Sequence, residues 1–228
     1  MSTQAPQLAL PLPKPKYKWG GRRPGSGRKA LPPERRKGLP HRSRPFHDRN
    51  HPVHVTMRLV RGIPSLRCTE LARVVGGVLR KQKQRPGFRV VHVSIQPNHL
   101  HLIVEALGRD TLGRGLQTLA SGIARALNRH LGRRGRVFAD RYHAGALTTP
   151  KATRNAIVYV LTNYKHHRRE RFAFDPWSSA LWFDGWTHAP PATDHPPPAA
   201  EPTTWLLRTG WRRYGKIDPA EAPADVPA

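Results

Sequence analysis

An α+β fold is predicted by three observations. Residues 53–60, 88–96 and 99–105 alternate apolar and polar side chains; residues 69–84 and 111–131 repeat apolar positions every three or four; and only Pro97-Asn98 separates the second and third alternating runs. Period two is the signature of a half-buried strand and period 3.6 that of an amphipathic helix. So short a connection implies an antiparallel hairpin.

The elements follow in order. In the first strand Val53, Val55, Met57 and Leu59 share one face, and His54, Thr56 and Arg58 the other. The first helix carries Leu71, Val74, Val75 and Val78 on one stripe and ends in Arg80-Lys81-Gln82-Lys83, cations suited to the negative end of the helix dipole. Pro86-Gly87 stops it. The second strand is expected to place Val91, Val93 and Ile95 together, opposite His92 and Ser94, and the third to present His99, His101 and Glu105 on its polar face. A long helix then carries Leu112, Leu116, Leu119, Ile123, Leu127 and Leu131; residues 137–149 are extended; and Thr149-Pro150 caps a last helix running to about residue 169. Strand, helix, strand, strand, helix, strand is the ferredoxin-like split βαβ unit, an antiparallel sheet with two helices on one face. The other face is expected to stay open, bearing polar residues rather than a second core.

Composition sets the partners. Forty Lys or Arg against fourteen Asp or Glu give +26 in 228 residues, a field that attracts polyanions, nucleic acid first and an acidic membrane surface second. No stretch approaches the roughly 18–20 apolar residues of a membrane span, so a cytoplasmic protein is expected. A single cysteine, Cys68, excludes an internal disulfide and a cysteine-based zinc site. Of 24 prolines, nine lie in residues 1–45 and nine in 187–228, which marks 46–186 as the domain, with its catalytic core about 53–169. Residues 1–45 read as a disordered basic arm, 187–203 as a linker, and 204–228 as a basic-aromatic extension. The arm carries +11 of the charge, and its Gly21-Arg22-Arg23-Pro24-Gly25-Ser26-Gly27-Arg28-Lys29 is broken by Gly and Pro into a strip of guanidinium groups. It is similar to the minor-groove arms called AT-hooks without reproducing their central order; a tail that touches phosphates without reading sequence is the alternative. Five of six tryptophans follow Asp175, either as a base-stacking surface or as a pad packed on the domain.

Two features carry chemistry. His99 and His101, two apart on a strand, project the same way and can hold one cation between them; polar residues on a solvated face are the plainer alternative. On the last helix Ile157, Val160, Leu161 and Tyr164 form the apolar stripe, while Tyr159 lies off it and Asn163 follows one turn later on the same side. A phenol and an amide oxygen facing two histidines suit metal-assisted attack on a phosphodiester; a surface Tyr beside an incidental Asn is the competing account.

Three motifs in order carry a resemblance. Pro97-Asn98-His99-Leu100-His101-Leu102-Ile103-Val104 resembles the His-hydrophobic-His (HUH) motif of the single-tyrosine transposases that move insertion sequences as single-stranded DNA. Tyr159-Val160-Leu161-Thr162-Asn163 resembles their nucleophile motif in the form found in REP-associated tyrosine transposases, with Asn in place of Gln. Residues 128–142, with Phe138-Ala139-Asp140-Arg141-Tyr142, are similar to the family's segment between the second helix and the last strand. The resemblance implies His99, His101 and the Asn163 amide oxygen as ligands of Mg²⁺ or Mn²⁺, Tyr159 as nucleophile, a 5′-phosphotyrosine intermediate, and a monomer or homodimer acting on single-stranded hairpin DNA. Imidazoles alone would suit zinc or nickel as well. Arg22, Arg23, Arg28, Lys29, Arg58, Arg141, Lys165 and Arg168 are the expected phosphate contacts. Where many relatives continue Pro-Val-Arg, this chain has Tyr164-Lys165-His166-His167-Arg168-Arg169. Tyr142 and Tyr164 are rival nucleophiles, discounted because Tyr142 lacks the helical Asn and Tyr164 lies on the apolar stripe; Glu105 is expected at the surface. The other class of function is a non-catalytic module binding single-stranded DNA or RNA on an open sheet, and a third is a hydrolase that uses water.

Overall fold

A computed structural model of the chain describes residues 46–167 and 173–221. Five strands and two long helices build the core in the order β1 (Val53–Arg58), α1 (Thr69–Gln82), β2 (Gln84–Arg85), β3 (Phe88–Ile95), β4 (His99–Ala106), α2 (Arg109–His130) and β5 (His143–Ala146). The sheet order is β2-β3-β4-β1-β5, antiparallel throughout. Without the two-residue β2, this is the arrangement of the split βαβ unit. The last helix is shorter than its pattern: α3 (Pro150–Thr162) ends at Asn163, and α4 (Tyr164–His167) follows. A short α5 (Trp205–Arg208) lies in the C-terminal segment. Among the described residues, no helix is long and apolar enough to cross a membrane.

The first face of the sheet is an apolar core. Val53, Val55 and Met57 of β1, Leu100, Leu102 and Val104 of β4, and Val90, Val93 and Ile95 of β3 pack with Leu71, Val75 and Leu79 of α1 and Leu112, Leu116, Leu119, Ile123 and Leu127 of α2. Gly115 allows the closest approach, for a Cβ there would sit 2.3 Å from the Phe88 ring. The β2–β3 turn needs Gly87, which has φ +70°.

The second face is not open, which corrects the sequence expectation. A bulge between Val90 and His92 shifts the β3 register and turns Val91 away from the first core. Together with Ile103 it nucleates a second core with Ala156, Ile157, Val160 and Leu161 of α3 and with Trp186, Leu207, Trp211 and Ile217 of the C-terminal segment. Trp186 and Trp211 are thus packing residues, buried to 4% and 1% exposure. Their helix-side partners could not be paired with them from a linear pattern.

The stretch expected as a linker becomes a strap over its second half. Ala200 N–H donates to the Val90 carbonyl at 2.7 Å, where the bulge leaves that acceptor free of the ladder, and Lys83 Nζ donates to Pro197 O at 3.1 Å. The strap is anchored by Glu105, buried rather than at the surface. Its carboxylate accepts from the backbone N–H and the hydroxyl of both Thr203 and Thr204, at 2.6–2.9 Å. The described residues accordingly fall in one compact unit.

Candidate active site

Sheet register creates the site. Thr56 stands opposite His101 on one side of β4 and Ser94 opposite it on the other; Arg58 stands opposite His99. All project onto the second face, beside its apolar half. Thr149 Oγ1 accepts the Ala152 N–H at 3.1 Å and Pro150 fills the first turn, so α3 starts where the sequence predicts and carries Tyr159 over this polar patch.

The half-buried Tyr159 ring meets His101 edge-on, with centroids 5.0 Å apart at 83°, and His54 at 5.5 Å and 74°. His99 and His101 turn their Nε2 atoms toward each other at 2.9 Å. The structure therefore brings together the two predicted histidines and the predicted tyrosine. His54 and Thr56 were not singled out for the site, yet both reach His101 Nδ1, at 3.2 and 3.1 Å. The available signal was the alternation of β1, which puts them on the polar face. Burial pushes His54 down to about 4, so its imidazole is neutral near pH 7.

These residues fit a divalent cation. His99 Nδ1 lies 2.8 Å from Asn98 Oδ1; an amide oxygen only accepts, so Nδ1 holds the proton and Nε2 presents its lone pair. A Thr56 hydroxyl accepting from His101 Nδ1 would do the same for the second ring. With His101 in that tautomer, two lone pairs would face each other across 2.9 Å, an arrangement that a cation between them would stabilise. Ligands at right angles and about 2.1 Å from one centre are about 3.0 Å apart, matching that spacing. Asn163 is 1% exposed, and neither its Oδ1 nor its Nδ2 has a hydrogen-bond partner. A buried amide left in this way costs about 1–3 kcal/mol, which a bound group would offset. Among the described residues, no three His, Cys, Asp or Glu side chains form a metal cluster.

The rival tyrosines are elsewhere. Tyr164 is buried, its guanidinium neighbour Arg67 lies 5.9 Å from the ring, and burial, reinforced by Asp175 and opposed by Arg67, pushes its hydroxyl up to about 12. Tyr142 lines a cleft of about 680 Å³ against α2, together with Arg109, Arg114, Phe138 and Arg141. Of the expected phosphate contacts, Arg58 is exposed opposite His99, and Arg141 belongs to that α2 cleft. The Lys165 ammonium donates to the Pro219 carbonyl, and burial lowers its pKa. Arg22, Arg23, Arg28, Lys29 and Arg168 lie outside the described residues.

No protein-family model matches the chain, and no curated protein sequence does. Among solved structures, one described as a REP-associated tyrosine transposase bound to a REP hairpin is similar over 62% of this chain and 82% of that one, at 19% identity and a TM-score of 0.49. A second, a candidate transposase from Deinococcus radiodurans, is similar over 50% of this chain and 88% of that one, at 21% identity and a TM-score of 0.38.

Proposed function

We propose that the chain is a transposase-type enzyme that cleaves and rejoins single-stranded hairpin DNA, with Tyr159 as nucleophile and His99, His101 and Asn163 as holders of Mg²⁺ or Mn²⁺. One observation carries this reading: the Tyr159 ring rests on His101 while the His101 and His99 Nε2 atoms converge to 2.9 Å. The cation's chemistry would be to draw electron density from the scissile phosphate.

The chain's own residues supply the rest. Tyr159 Oη attacks phosphorus, forming a tyrosyl O–P bond as the P–O3′ bond breaks. The phenolic proton is lost and the departing 3′-oxygen gains one, so a 5′-phosphotyrosine and a 3′-hydroxyl result. Attack by a 3′-hydroxyl reverses both bond changes. The phosphodiester is conserved in the covalent link, and rejoining needs no external energy source. Thr56 and Asn98 orient the two imidazoles through their Nδ1 atoms, and Arg58 offers an exposed cation beside His99 for the strand's phosphates.

The module that stacks bases on an open sheet is disfavoured by the cover over Val91 and Ile103, which leaves no broad free face. The test is incubation of the protein with a labelled hairpin oligonucleotide and Mn²⁺, followed by denaturing electrophoresis. A covalent adduct is expected from the wild type and none from Tyr159→Phe. Cleavage that persists in Tyr159→Phe without an adduct would instead indicate hydrolysis by water.

A further inference from the structure

Gln96 sits one residue past the end of β3, fully buried, and its N–H donates to the His99 carbonyl at 2.9 Å. It thus stands directly opposite His99 across the hairpin, as Ser94 stands opposite His101. Two rows cross the second face: Ser94, His101 and Thr56 in one, Gln96, His99 and Arg58 in the other. That Gln96 shares the face is fixed by its side chain, whose Nε2 donates to Ser94 Oγ at 2.8 Å. Directly opposed residues have Cβ atoms about 5 Å apart, so the Gln96 and His99 side chains leave the hairpin side by side on one face.

With its NH₂ committed to Ser94, the amide oxygen remains, and Gln96 Oε1 is buried without a hydrogen-bond partner. A lone buried acceptor needs a physical reason. Gln82, Asn128 and Asn163 carry the other amide oxygens in this state among the described residues, and of these Asn163 follows Tyr159 by one helical turn and has its Nδ2 unpartnered as well.

We propose that Gln96 is a further cation ligand, its Oε1 joining His99 Nε2, His101 Nε2 and the Asn163 amide oxygen. The inference rests on the reading of His99 and His101 as a cation site. Its donor set is two imidazoles and two neutral amide oxygens, without carboxylate or thiolate. Hard oxygen donors shift preference toward Mn²⁺ or Mg²⁺ and away from what imidazoles alone would select. Neutral donors also leave the ion its full double charge for a phosphate oxygen, and four protein ligands leave two octahedral positions for that oxygen and a water.

Mn²⁺ affinity of the full chain, measured without DNA from the electron paramagnetic resonance signal of free Mn²⁺, tests this apart from catalysis. Gln96→Leu is expected to weaken binding about tenfold or more. Gln96→Glu, which puts a charged oxygen in the same place, should bind more tightly than the wild type. Zn²⁺ affinity should fall less than Mn²⁺ affinity in Gln96→Leu. Where Gln96→Leu fails to fold, Gln96→Glu carries the test, with tighter Mn²⁺ binding expected and unchanged affinity overturning the inference. Mn²⁺ affinity of folded Gln96→Leu within twofold of the wild type overturns the Gln96 role and leaves the strand-cleavage reading standing. A wild type that binds no Mn²⁺ overturns both.

Discussion

The two faces of the sheet are built from the same three strands and behave as different materials. On the first, Leu100, Leu102 and Val104 belong to one apolar core with α1, α2 and the neighbouring strands. On the second, the alternate residues His99, His101, Ile103 and Glu105 pass from a polar patch through an apolar contact to a buried carboxylate within one strand. The difference teaches that the first face specifies the shape of the domain, while the second divides its length between holding α3 in place and carrying the polar patch beneath Tyr159. Arg67 and Asp175 form a joint at the end of β3. Arg67 NH1 donates to Asp175 Oδ2 at 2.9 Å and to the Ile95 carbonyl at 3.2 Å, and its guanidinium lies over Trp177 at 4.6 Å.

The largest loss of stability is expected at that joint. Asp175→Ala strands a guanidinium that is 1% exposed, and breaking such a pair typically costs about 3–5 kcal/mol, readable as a shift in the urea midpoint. Next, Leu102→Ala on the first face should cost about 2–5 kcal/mol through the cavity it leaves, while adduct yield per folded molecule stays near wild type. If that truncation abolished chemistry in the folded protein, the division of labour between the faces would fail.

The third prediction concerns acid. Burial, opposed by the Asp184 charge, holds His92 down at about 4, against 6.5 for the free side chain. Between those values the unfolded chain takes up a proton that the folded chain refuses. The stability contributed is therefore complete above pH 6.5 and is lost as pH falls to 4, by on the order of 3 kcal/mol. Urea titrations across that range should show a shallower pH dependence for His92→Asn than for the wild type.

The smallest effect is at the strap. Glu105→Gln replaces an acceptor of four donors by a group with one acceptor oxygen, at about 1–3 kcal/mol. Limited proteolysis should then cut faster between residues 197 and 204 than within β4.

What the sequence made legible follows the same division. Alternation in β1 and β4 and the leucine spacing of α2 were enough for the first face, because one side of each element had a single apolar environment. The hairpin turn and the Thr149-Pro150 cap were enough to put both histidines on a strand and Tyr159 on a helix, where the structure has them. The second face was misread for two reasons. The bulge at Val90 and Val91 adds a residue that a period-two pattern cannot show, and Trp186, Leu207 and Trp211 are remote in sequence from the strands they cover. Thr56 and Gln96 looked like ordinary polar residues because only the strand register shows them opposite His101 and His99, and His54 because it reaches His101 diagonally across the β1–β4 pair. Glu105 was misread because its partners, Thr203 and Thr204, lie in a Pro-rich stretch with no periodicity.

The central claim, that Tyr159 over His101 is a nucleophile, is tested most directly by mapping the covalent link. Wild-type protein incubated with hairpin DNA and Mn²⁺, digested and analysed by mass spectrometry, should yield a peptide carrying a nucleotide on Tyr159, and Tyr159→Phe should yield none. A nucleotide found on Tyr142 or Tyr164, or an adduct undiminished in Tyr159→Phe, would contradict the account.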